Sequence, residues 1–299
     1  MRNLITEGLE LVGEGGEGKV YRLNENQVLK VYKRASLDTV DYWFRTTNAA
    51  IKYGIPSAKA YELVEAEGKY AVIFDYLKAQ SVGRTISGSP ERLEEYAEKM
   101  GFFLKKLHST EDVDDLLENE DKRMFSWYEE GCRKNIFPDD VADSINTILT
   151  SMPNRITLLH GDFHEGNVVV GDNELMCVDL DRVGSGHPIY DLIGIHMNHD
   201  MVIKSMPDFF EKSWGLTVEQ AFYVKDRMLK TYFGTDSDKL LKEYEAIIGN
   251  AFLMKRMLLP VTETMDMDDD AARAYVQRVA PEFMKIANEL PDMIAGLPL

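Results

Sequence analysis

The sequence predicts an α+β fold of two lobes, a small antiparallel β lobe with one helix followed by a larger, mainly helical lobe. Three observations carry this. Residues 8–32 alternate in a strand-like way around a glycine-rich turn. From residue 90 onward, apolar residues recur at helical spacing. Between helical stretches, Leu158 to Asp181 interposes a polar loop and a short hairpin that ends on Asp179. With 299 residues and 44% hydrophobic content, the chain can bury a sizeable core. The lobes are expected to meet near residue 76, giving an N-terminal lobe over 1–76 and a C-terminal lobe over 77–299.

Bulk composition narrows the partners. A net charge of −17 argues against nucleic acid, whose phosphates reward Lys and Arg. No run approaches the roughly 18 apolar residues of a membrane span. The start Met-Arg-Asn-Leu-Ile-Thr-Glu lacks the apolar core of a signal peptide. Cys132 and Cys177 are too few for a disulfide framework, and Cys177 reads as a small buried thiol. A cytoplasmic location, without nucleic-acid or membrane partners, is the expectation.

Along the chain, Gly13, Gly15, Gly18 and Val20 fill every position of G-x-G-x-x-G-x-V. Two folds use such glycines, and the flanks decide between them. Here Val20-Tyr21-Arg22-Leu23, a polar turn at Glu25-Asn26, and Val28 to Tyr32 follow. That is strand, turn, strand, as in a hairpin that covers nucleotide phosphates. Lys30 falls inside the second strand, where a buried ammonium needs an anion, and ATP phosphates supply one. An edge-strand lysine facing solvent is the plainer alternative. Glu14 and Glu17 flank the turn and are expected to point to solvent.

Residues 37–53 read as a helix, with Val40, Trp43, Phe44, Thr47 and Ile51 near helical spacing. It carries no Glu to pair with Lys30; of Asp38 and Asp41, Asp41 is favoured. Ala60–Val64 and Tyr70–Tyr76 read as strands around Glu67-Gly68. Asp75, Tyr76 and Leu77 would then form a hinge offering backbone groups to adenine; a generic sheet edge fits them nearly as well. From Pro90, the stripe Leu93, Tyr96, Ala97, Met100, Phe103, Leu104 and Leu107 predicts a helix ending at His108, a capping or packing residue. The acidic residues 111–121 read as a solvated face. Further helices are predicted over Asp139–Met152, Val218–Phe233, Asp238–Leu259 and Asp268–Leu290, and one begins near Tyr190 to Asp191.

The stretch Leu158–Asp181 carries the chemistry. Asp162, then Asn167 five residues on, then Asp179 after a hairpin turning at Gly171-Asp172-Asn173, is the layout of a kinase catalytic loop and metal-binding segment. Mg²⁺ is hard and takes oxygen ligands, which suits Asn167 and Asp179. Phosphoryl transfer asks for positioning and charge neutralisation, so the parts are few. Asp162 would accept the proton of an attacking hydroxyl. A zinc site at His160 and His164 lacks further Cys or His in the loop.

Together these residues resemble the aminoglycoside phosphotransferase and choline kinase family, the small-molecule branch of the protein-kinase-like fold, and a bacterial subgroup within it. The likeness covers most of the chain: the glycine turn 13–20, Lys30, Gly-Ile-Pro at 54–56, Leu-His at 107–108, His-Gly-Asp-x4-Asn at 160–167, Val-Asp-Leu-Asp at 178–181 and His-Pro-Ile-Tyr-Asp-Leu at 187–192. The resemblance implies ATP bound between two lobes and transfer to a small-molecule hydroxyl. It implies Asp162 as base, Asn167 and Asp179 as Mg²⁺ ligands, Lys30 on the phosphates, and Asp191 bracing the loop. A protein kinase would need a longer segment after the metal Asp and an Ala-Pro-Glu closure; only twelve positions separate Asp179 from Asp191. A nucleotide-binding regulatory pseudokinase would show a broken set, whereas Lys30, Asp162, Asn167 and Asp179 are all present. The acceptor is open among an aminoglycoside, an amino alcohol and a sugar. Glu263, Asp266, Asp268, Asp269 and Asp270 suit either a rim for an amine or a solvated lead into a helix.

Overall fold

Alternating apolar positions between residues 3 and 75 build a six-stranded sheet. The computed structural model describes residues 1–299 except Asn173, Glu263 and Thr264, and the side chain of Phe209. In chain order the sheet uses β1 (Asn3–Leu4), β2 (Glu10–Glu14), β3 (Gly18–Arg22), β4 (Gln27–Tyr32), β5 (Ala60–Ala66) and β6 (Lys69–Asp75). The spatial order is β1-β5-β6-β4-β3-β2, antiparallel except for the parallel β1–β5 pair. Leu29, Val64, Ala71 and Ile73 bury one face and Tyr32, Ala60 and Val72 the other. Helix α1 (Leu37–Lys52) crosses between β4 and β5 and packs on the sheet through the fully buried Val40. Its first turn is capped by Ser36, which accepts from Thr39 N at 3.2 Å.

Beyond residue 75 the chain is mainly helical: α2 (Val82–Gly88), α3 (Leu93–His108), α4 (Glu120–Arg133) and α5 (Asp139–Ser151) precede the loop. Short strands β7 (Thr157–Leu159), β8 (Val168–Val170), β9 (Leu175–Cys177) and β10 (Gly184–Gly186) frame it. They pair as the hairpin β8–β9 and as β10 against β7. Helices α6 (Ile189–His196), α7 (Pro207–Trp214), α8 (Val218–Phe233), α9 (Asp238–Leu258), α10 (Asp269–Phe283) and α11 (Leu290–Ala295) complete the fold. The α3 stripe is buried as its spacing predicts, with Met100 and Leu104 fully enclosed. Each such side chain contributes about 1.5–3 kcal/mol relative to leaving it in water. Among the described residues no helix is long and apolar enough to cross a membrane.

Two expectations are corrected. The helix expected over Asp268–Leu290 is two, because α10 closes just past Pro281 and the chain turns before α11. The acidic stretch 111–121 is no uniform solvated face. Asp112 is buried, accepts Leu116 N and Leu117 N at 2.9 Å each, and receives Tyr53 Oη at 2.6 Å. Residues 120–133 form α4, capped by Asn119, which accepts from Lys122 N at 3.1 Å. Of the acidic run near 263–270, Glu263 lies outside the described residues. Asp268 caps α10 through Ala271 N, as the solvated-lead reading expects.

Candidate active site

The loop between β7 and β8 is held by one buried carboxylate. Asp191, in the first turn of α6, accepts His160 N and Gly161 N at 2.8 Å each. His108, closing α3, approaches the same carboxylate at 3.1 Å through Nε2 and Tyr232 Oη at 2.8 Å through Nδ1. A carboxylate only accepts, so His108 Nε2 donates to it. Burial alone would raise the Asp191 carboxyl, but His108, the His160 ring and the backbone bond outweigh it and hold the group low. The loop also needs glycine at 161, where φ is +79° and an added Cβ would lie 2.2 Å from the Arg182 carbonyl oxygen.

Asp191→Asn tests this brace. An amide cannot accept both backbone N–H groups and the imidazole, and breaking a buried charged network costs about 3–5 kcal/mol. A fall in melting temperature on the order of 10 °C is expected by calorimetry. Because the folded pKa is depressed, the carboxylate's contribution is present above the unfolded value near 3.9 and is lost as pH falls through the folded value. The gap between wild type and variant should therefore narrow below about pH 4. An unchanged melting temperature at neutral pH would remove Asp191 from this role.

On this frame Asp162 and Asn167 meet. Asn167 Nδ2 donates to the Asp162 carbonyl at 3.1 Å and lies 3.4 Å from its Oδ2, leaving the side-chain Oδ1 of Asn167 for another partner. Both loop histidines are braces rather than zinc ligands. His160 Nδ1 accepts Asp162 N at 3.3 Å, and His164 Nδ1 accepts Gly166 N at 3.0 Å while its ring stacks on Trp214. His164 Nε2 stands 3.7 Å from Asp162 Oδ2. Burial would raise the Asp162 carboxyl, yet His164, His160 and Arg182 overcome this and hold it down to about 2. It is an anion at neutral pH.

Asp179 follows β9 with a left-handed backbone, φ 59° and ψ 54°. This turns the chain so that Asp179 and Asp181 both face β4. Lys30 Nζ bonds Asp179 Oδ1 at 2.6 Å and Asp181 Oδ2 at 2.5 Å. The favoured helix partner is thereby corrected: Asp41 is paired with Arg45 at 2.9 Å and stands half exposed. Nor does Lys30 face solvent, since its side chain is only 14% exposed. Burial would lower its pKa, but Asp181 and Asp179 raise it, so it remains a cation. Burial, with Asp179 alongside, pushes Asp181 upward.

The glycine turn lies over this pair. Val20 is directly across from Lys30 in the β3–β4 register. Gly15 leaves open space and a Cβ at Gly13 would rest on Val20 Cβ at 3.8 Å, whereas at Gly18 a Cβ would sit 2.6 Å from the Val31 carbonyl oxygen, so close strand packing requires glycine there. Glu14 meets Lys33 at 3.2 Å near the surface. Glu17 departs from the expectation of a solvent-facing residue: it reaches Arg182 at 3.4 Å, and its carboxylate lies within 4.8 Å of those of Asp179 and Asp181. Asp75 ends β6, its carboxylate taken by Tyr61 Oη and Lys59 N. The amides of Asp75 and Tyr76 donate to Lys59 and Asn26 carbonyls, so two of the hinge's backbone donors are already used. Leu77 follows at the end of the sheet, half buried. Surface recesses of about 200 and 410 Å³, beside Pro260 and beside Phe125, contain none of these residues.

A glycine-turned hairpin, a strand-borne lysine and a braced Asp-x4-Asn loop are the parts of the protein-kinase-like fold, and solved structures share it. A choline/ethanolamine kinase family protein from Mesorhizobium loti is 17% identical, with 96% of this chain and 93% of that chain covered and a TM-score of 0.56. APH(2")-IIa in complex with gentamicin is 16% identical over 96% and 93%, with a TM-score of 0.55. The ADP-bound aminoglycoside phosphotransferase APH(2'')-Ib is 16% identical over 98% and 95%, with a TM-score of 0.53. No curated protein matches the chain. Residues 8–211 match the phosphotransferase enzyme family, and the chain belongs to it.

The chemistry missed in the sequence is that of Asp181 and Glu17. Asp181 was visible only as the second acid of Val-Asp-Leu-Asp, and nothing in that spacing says which way it turns. The left-handed residue before it decides this.

Proposed function

We propose that the protein transfers the γ-phosphoryl group of ATP, with Mg²⁺, to a hydroxyl of a small molecule such as an aminoglycoside, an amino alcohol or a sugar. The observation that carries this is the convergence of an ionised Asp162, its Asn167 neighbour, and the Lys30–Asp179 pair beneath a glycine turn. The lobes would divide near residue 76, with nucleotide between them. The oxygens of Asn167 and Asp179 form a hard donor set, and Asp179 is 42% exposed, so both fit Mg²⁺. When bound, that ion neutralises phosphate charge.

The chain's own residues do the rest. Lys30 exchanges Asp179 for phosphate oxygens. The open space at Gly15 admits the phosphates close to backbone, with Gly13 and Gly18 shaping the same turn, and Val20 and the stretch Asp75, Tyr76 and Leu77 line the base. Asp162 orients the acceptor hydroxyl and takes its proton as the bond to phosphorus forms and the bond to the β–γ bridging oxygen breaks, with ADP as the leaving group. Because His164, His160 and Arg182 outweigh burial and keep Asp162 ionised, its protonation should impose no loss of rate between about pH 5 and 8. The net charge of −17 suits an enzyme with no nucleic-acid partner, and its expected place is the cytoplasm.

ATP consumption measured with Mg²⁺ against a panel of those three acceptor types tests the reading. Acceptor-stimulated turnover supports it, and failure of Mg-ATP to bind or to raise the melting temperature overturns it. Glu17 offers a finer test. Its carboxylate sits where phosphate charge must come, and one unit charge at about 4 Å is worth about 1 kcal/mol even at the dielectric of water. Glu17→Gln should tighten Mg-ATP binding about fivefold by calorimetry. A weaker affinity would instead make Glu17 a contributor to metal binding.

A further inference from the structure

We infer that Asp181 is the positioning residue for Lys30, doing from the metal-binding segment what an acidic residue on the packed helix would otherwise do. The inference rests on the phosphotransfer reading above. Helix α1 offers only Asp38 and Asp41 as acids; Asp38 is exposed and Asp41 is held by Arg45. Two carboxylates do meet Lys30, and they differ in surroundings. Asp179 is 42% exposed. Asp181 is 4% exposed, under α1, with Lys30 on Oδ2 and Tyr32 Oη 3.3 Å from Oδ1.

The two therefore have different fates when nucleotide arrives. Asp179, with an exposed side to turn to, is free to release the ammonium. Asp181 has no route to solvent and both its oxygens engaged, so it keeps the lysine aimed while the second bond is exchanged. A buried lysine left without any anion would be costly, which gives Asp181 a reason to stay. The aromatic pair Tyr32–Trp43, with centroids 4.9 Å apart, fixes the hydroxyl that orients it.

A thermodynamic cycle of wild type, Asp181→Asn, Lys30→Met and the double variant tests this, read by Mg-ATP affinity, the Mg²⁺ midpoint for nucleotide binding, and melting temperature. Asp181→Asn should weaken Mg-ATP binding about tenfold, the scale of one charge-assisted hydrogen bond, with the Mg²⁺ midpoint unmoved. In the Lys30→Met background the same substitution should change nothing further. Additive losses, or a shifted Mg²⁺ midpoint, would overturn the inference and make Asp181 a metal ligand or a packing residue. Should Asp181→Asn fail to fold, Tyr32→Phe replaces it. Loss of that hydroxyl should weaken Mg-ATP binding about threefold with Lys30 present and not in Lys30→Met; equal losses in both overturn the inference. Wild type that binds no Mg-ATP would overturn the phosphotransfer reading itself, and is distinguishable from either result.

Discussion

Asp162→Ala is expected to lower turnover about 10²–10⁴-fold, the range for a lost general base, while Mg-ATP affinity is nearly kept. The separation follows from position. Asp162 touches Asn167 and approaches His164, and its carboxylate makes no bond with Lys30 or the glycine turn. Asn167 still has the Asp162 carbonyl oxygen at 3.1 Å after the side chain is gone, so the loop retains one of its two contacts. Steady-state turnover with an identified acceptor, alongside calorimetry with Mg-ATP, gives both numbers. Turnover equal to wild type would remove Asp162 from the chemistry, and joint loss of turnover and nucleotide binding would make it structural.

Asp179→Ala should give the opposite pattern. Lys30 would keep Asp181, so the strand and its lysine stay in place. What goes is the exposed carboxylate of the hard-oxygen set, leaving Asn167 alone. The expected result is loss of the Mg²⁺ dependence of nucleotide binding, with Mg-ATP affinity down at least about tenfold and turnover down with it. Titration of nucleotide at several Mg²⁺ concentrations checks this. Intact Mg-ATP affinity would show that the metal is held elsewhere. The backbone predicts a second signature: Asp179 is left-handed, which costs an ordinary residue about 1–2 kcal/mol. Asp179→Gly should therefore lose metal as alanine does and yet fold more readily.

Much of this was legible in sequence because it depends on local spacing. The α3 stripe and the strand-turn-strand around Gly18 each follow from periodicity, and the Asp162–Asn167 contact follows from a five-residue loop. What was not legible depends on long-range placement. The partner of Lys30 lies 151 residues away at Asp181, brought there by one left-handed residue. Helix α4 was hidden because it is rich in charge and buries only Glu120, Met124 and Gly131, too few to print an apolar stripe. Asp112, read among exposed acids, is an anchor because Tyr53 from α1 reaches it. Short β1 and β10 have two and three residues, below the length at which alternation can be seen.

The stretch between Asp179 and Asp191 is tied down along its length. Gly184–Gly186 pairs with Thr157–Leu159, Ser185 N donates to Glu118 O at 2.9 Å, and Thr157 Oγ1 donates to Gly186 O at 2.7 Å. These bonds leave little slack for a long strap between the two carboxylates. On the phosphotransfer reading proposed above, such a site would need no separate segment to be ordered before it acts.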